Sequence, residues 1–126
     1  MEIKTLISSY DEINDTFVGK VDGEKGICAD YSISEGIFLG IDKNNLPNSI
    51  YVNNASEVLN TSKEILENSN VVIYIDCDNL CINFHMFIEG LKICSVKCRN
   101  YHGIENVSYE IDSNHWVTII FFLIKF

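Results

Sequence analysis

The chain has 126 residues, 47% of them apolar, and 18 Asp and Glu against 9 Lys and Arg leave a net charge of −9. That length predicts a single domain over residues 1–126, with a core that stands without disulfides or metals. The apolar share excludes a disordered acidic tail. The charge argues against nucleic acid and anionic membrane as partners, because each phosphate contact calls for a Lys or Arg.

In chain order, the opening residues Met1–Ile7 lack the basic region and apolar run of a secretory leader. Ser9-Tyr10-Asp11-Glu12 has the form of a capping box, and Tyr10, Ile13 and Phe17 follow at helical spacing. A short N-terminal helix ending at Gly19 is therefore expected. Strands are read over Gly26–Ile33, Gly36–Ile41 and Ile50–Asn53. Asn54 with Glu57 then opens the main helix, whose stripe of Ala55, Val58, Leu59, Ile65 and Leu66 runs to Asn68. Five strands complete the chain: Val71–Cys77, Leu80–Ile88, Leu91–Arg99, Ile104–Ile111 and His115–Phe126. Short turns between them predict an antiparallel meander. The expected class is α+β, an antiparallel sheet meander with one main amphipathic helix packed on a face. Val71, Ile73, Ile75 and Cys77, with Leu80, Ile82, Phe84, Met86 and Ile88, form the face beneath that helix. Trp116–Phe126 is apolar on both parities, so it lies centrally or meets its twin in a homo-oligomer.

No catalytic motif is legible, so an enzyme is not expected. The seven glycines never form a dinucleotide fingerprint or a phosphate loop. Asp76 and Asp78 bracket a turn rather than a cleft. The cysteines are spaced Cys77-x3-Cys81-x12-Cys94-x3-Cys98, which has the outline of a four-thiolate zinc site. If Glu89-Gly90 is a two-residue turn, Cys81 faces Cys98 and His85 faces Cys94, away from the core, while Cys77 points inward. The Cys81/His85/Cys94/Cys98 face is thus the alternative site for a metal or small ligand, and the same four residues serve equally as packing. No cofactor is expected. An odd number of cysteines, five, and the absence of an address signal point to reduced thiols and a cytoplasmic location.

The charge is concentrated. Residues 1–42 carry nine acids against three lysines, −6 of the total −9. Asp11, Glu12, Asp15, Asp22, Glu24 and Asp30 either solvate the surface or present a field to a basic protein, whose association such a field accelerates. With its α+β pattern, acidic first third and Asn/Ile-rich stretches such as Asp42–Asn48, the chain resembles the small acidic immunity proteins of bacterial contact-dependent and other polymorphic toxin systems. The resemblance is one of type over the whole chain and carries no diagnostic motif. It implies a non-enzymatic inhibitor that covers the active site of a cognate basic toxin domain, such as an RNase or DNase. On that reading the six acids are the partner-binding residues.

Overall fold

The computed structural model describes residues 2–23 and 26–113. Among these residues nine strands form one sheet that curls into a nearly closed barrel: β1 (Glu2–Asp11), β2 (Thr16–Val21), β3 (Ala29–Ser34), β4 (Ile37–Ile41), β5 (Pro47–Val52), β6 (Val71–Cys77), β7 (Cys81–Ile88), β8 (Leu91–Arg99) and β9 (Val107–Asp112). Two short helices, α1 (Ala55–Val58) and α2 (Lys63–Asn68), join β5 to β6. The expected α+β class is therefore wrong. Among the described residues the protein is mostly β, 57% strand against 9% helix, and the inner side chains are covered by the far wall of the barrel instead of by a main helix.

The strand order is β3-β4-β5-β2-β1-β9-β6-β7-β8. In each half, three hairpin-linked strands are joined by a fourth that comes back beside the first, giving two Greek keys: β9-β6-β7-β8 and, in reversed sense, β2-β5-β4-β3. β1 is the hinge between them. Its residues Glu2–Thr5 run parallel to β9, and Leu6–Asp11 run antiparallel to β2. Alternation does the rest, because every second side chain of a strand points to the same side. Phe17 and Val21, Leu39, Ile50 and Val52, Ile73 and Ile75, Phe84 and Met86, and Ile111 all point inward and are buried. Gly19 lies among them, and a Cβ there would come within 2.9 Å of both Leu6 and Ile50, so the two walls close over a bare backbone. At the open seam no ladder joins β3 to β8, but the Tyr31 ring stacks on His102 with centroids 3.6 Å apart.

Three expectations need local correction. The predicted N-terminal helix is the β1–β2 hairpin. Asp11 accepts from the backbone N–H groups of Ile13 and Asn14, so the side chain read as part of a helix cap closes a turn. Ile13 is 92% exposed at that turn, while Phe17 is buried inside. The predicted Asn54–Asn68 helix breaks in two. Asn60 is left-handed (φ 50°), and Ser62 accepts from the Ile65 N–H to start α2 afresh. Among the described residues the meander holds for β6–β8 only. Asn100 donates to the carbonyls of Asp78 and Ile104 and accepts from the Ile104 N–H, which fixes the crossing loop. β9 is thereby delivered to β6 and not to β8. The strand read over His115–Phe126, with its route to a homo-oligomer, lies outside the described residues. Among the described residues, no helix is long and apolar enough to cross a membrane.

Candidate partner-binding face

Inward placement of Phe17, Ile50, Val52, Ile37 and Leu39 obliges their neighbours to face out. The register then lines the outward residues into rows. One row runs Ser9, Val18, Tyr51, Phe38 and Ser32 across β1, β2, β5, β4 and β3. The next runs Lys20, Ser49, Gly40 and Asp30. Between them lies a groove of about 410 Å³ lined by Val18, Ile27, Asp30, Phe38, Ser49, Ile50 and Tyr51. A second hollow of about 530 Å³ shares Val18 and Tyr51 and continues to Ser9, Asp11, Asn14, Thr16 and Asn53. The outer face thus holds one trough, apolar at one end and polar at the other.

Its construction is specific. Gly40 forms part of the floor: a Cβ there would collide with the Ser49 hydroxyl and come within 3.1 Å of Asp30 Oδ1 and 3.3 Å of Ile27. Ile27 is held over the groove by its neighbours. Cys28 N–H donates to Ile41, and Asn48 Nδ2 donates to the Gly26 carbonyl. Asn48 is the buried polar side chain of the core, and its Oδ1 has no hydrogen-bond partner among the described residues. The Phe38 and Tyr51 rings meet edge to face at 6.1 Å. Val18 and Tyr51 are each 39% exposed, a large apolar surface for a sheet face.

The six acids read from the sequence do not form one patch. Asp11 and Glu12 are exposed at the β1–β2 turn beside the polar hollow, Asp30 lines the apolar groove, and Asp22 sits at the opposite end of β2. Glu24 lies outside the described residues. Asp15 is committed to the fold: its carboxylate accepts from the Tyr10 hydroxyl (2.6 Å), the Ser56 N–H (3.0 Å) and the Ser56 hydroxyl (2.6 Å), capping α1 from outside the helix. Burial works to raise its pKa, but these hydrogen bonds and Lys63 outweigh it and hold the carboxyl below the usual range. The Tyr10 phenol is pushed up, first by burial and then by the bond to Asp15. Asp11 is held down by the Asn14 side chain and the turn N–H groups.

The Cys81/His85/Cys94/Cys98 face does not exist. The Glu89-Gly90 turn pairs Ile88 with Leu91 as expected, but a bulge at Ile93 intervenes before Cys94. Beyond it Met86 faces Cys94, Ile82 faces Cys98 and Cys81 faces Arg99. One extra residue in a strand moves everything after it to the other side. Cys94 and Cys98 therefore pack against the core, and Cys81 and His85 stay outside. Burial raises the thiols of Cys94 and Cys98 and pushes that of Cys77 up to about 12, so all three are protonated at neutral pH and poor nucleophiles. Among the described residues no three His, Cys, Asp or Glu side chains are grouped to hold a metal ion. His85 instead meets the Ser95 hydroxyl at Nδ1, 2.9 Å away, on an open strand face that contributes to neither hollow.

The sequence reading missed Val18, Ile27, Phe38, Ser49 and Tyr51. The available signal was that Ile37-Phe38-Leu39 and Phe17-Val18 are apolar on both parities, as in the strand read over Trp116–Phe126. Comparison with protein-family models, curated proteins and solved structures finds no match.

Proposed function

We propose that the chain is a non-enzymatic binding protein of the immunity type, which neutralises a basic toxin domain by laying the outer face of β1-β2-β5-β4 against it. The observation that supports this most is the trough itself, where exposed Val18 and Tyr51 and half-buried Phe38 are bordered by Asp11 and Asp30. An apolar patch with carboxylates at its border suits a basic protein partner. The first third, which supplies most of this face, also carries −6 of the net charge. A nuclease domain fits as the partner, since phosphate binding makes its active-site groove basic.

The test is co-expression with the C-terminal domain of any large secreted protein found encoded beside this chain. Growth should be rescued by this chain. The triple variant Asp11→Lys, Glu12→Lys, Asp30→Lys should associate at least about tenfold more slowly at low salt, with a flattened salt dependence. Asp15 is left alone because it caps α1. No rescue, or an unchanged association rate for the triple variant, overturns the reading.

A further inference from the structure

The two halves of the barrel each carry an edge-to-face aromatic pair on the outside, Phe38–Tyr51 in one and Tyr74–Phe87 in the other. Around the second pair the chain supplies its own charges. Lys92 Nζ stands 5.9 Å over the Phe87 ring, and the Tyr74 hydroxyl donates to Glu110 Oε1 at 2.7 Å. Around the first pair the charges are not matched in this way. Asp30 lines the groove, and among the described residues no cation stands over Phe38 or Tyr51 and no hydrogen-bond donor meets the Asp30 carboxylate.

We propose that this groove is a slot for an arginine side chain of the protein partner. The inference rests on the binding reading above and names the chemistry that its face recognises. The apolar walls of Val18 and Ile27 suit the aliphatic stem. The ring faces of Tyr51 and Phe38 offer a stacking surface to the planar guanidinium. Asp30 and Ser49, drawn together over the bare Gly40 backbone, supply acceptors at its end. Lysine is the poorer occupant, because its compact ammonium is strongly hydrated and stacks less well. Lys20, across the ladder from Ser49, is the nearby cation and opposes entry, so its removal should strengthen binding.

The experiment is a two-dimensional NMR titration of the whole chain with acetyl-Gly-Arg-Gly-amide, against the same peptide carrying citrulline, which keeps the shape and loses the charge. The arginine peptide should shift the amides of Val18, Ile27, Phe38, Ser49 and Tyr51 and leave those of Tyr74 and Phe87 unmoved. Citrulline should bind about tenfold more weakly. Asp30→Asn should bring the arginine peptide down to the citrulline level, Gly40→Ala should close the slot without altering charge, and Lys20→Gln should tighten it. Equal binding of citrulline, or shifts confined to other surfaces, overturns the slot. Peptide binding without growth rescue would leave the slot standing and end the toxin reading. Rescue without peptide binding would do the reverse.

Discussion

The two Greek keys share one interior and differ outside. On the β6-β7-β8-β9 half, polar groups of the outer face find partners within the chain: Tyr74 with Glu110, His85 with Ser95, Lys92 with the Phe87 ring. On the β2-β5-β4-β3 half, hydrogen-bonding side chains are spent at the turns, where Asp11, Asp15 and Asp42 each satisfy backbone N–H groups. The middle of that face is left to Val18, Phe38 and Tyr51. A face whose groups already answer one another has little to offer a partner, whereas exposed apolar surface beside unanswered charge gains by being covered. The asymmetry, more than the net charge, is what favours this half as the proposed interface.

The comparison breaks at once if the halves do not share a core. Leu6, Ile50, Ile73, Ile75 and Ile111, from both keys, converge on a void of only about 10 Å³. Phe17 in one half and Phe84 in the other are almost fully buried. Phe17→Ala and Phe84→Ala should each cost about 3–5 kcal/mol, and each should move a single cooperative urea transition. Two separated transitions, or a loss confined to one half's amide-exchange protection, would make the barrel two domains.

How far the sequence could foresee this depends on which residues carry the signal. Alternation made Val71–Cys77 legible, and the turns at Glu89-Gly90 and Asn100–Gly103 bounded Leu91–Arg99; both strands keep the bounds read for them. Tyr10, Ile13 and Phe17 sit at helical spacing by coincidence. The turn at Asp11 that separates them is a local hydrogen-bond choice for which a capping box is an equally good description. The break at Asn60 is of the same kind. The bulge at Ile93 has no sequence mark at all, yet it alone decides on which side Cys94 and Cys98 lie. The proposed binding face was hidden for a different reason: it exists only once β2, β5 and β4 are neighbours, and that order comes from the return of a strand across the barrel.

A smaller effect separates the acids that build the fold from those that face outward. Asp15→Ala removes three hydrogen bonds and the cap of α1, and should cost about 1–3 kcal/mol, while Asp30→Asn should be close to neutral in stability. The pH dependence gives the check. Asp15 is held below its usual pKa of 3.8 in the fold, so its contribution is present above about pH 4 and is lost as the pH falls through the folded value. The stability gap between the wild type and Asp15→Ala should therefore narrow in acid. A gap that persists at low pH would mean that the cost comes from packing and not from the carboxylate.

The smallest difference is the sharpest, because it compares one atom in each half. Tyr74→Phe deletes a hydroxyl that donates to a carboxylate, and should cost about 1 kcal/mol. Tyr51→Phe deletes a hydroxyl with no hydrogen-bond partner among the described residues, and should cost less than about 0.5 kcal/mol. The bond to Glu110, aided by burial, raises the Tyr74 phenol above its usual 10.0. Its contribution is thus fully present below pH 10 and fades as the pH climbs through the folded value, so the Tyr74→Phe penalty should shrink in alkali. Urea titrations of the two variants and the wild type at pH 7 and above pH 10 measure both. Equal penalties at pH 7 would show that the hydroxyls of the two faces are equally engaged, and would remove the asymmetry on which the proposed binding face rests.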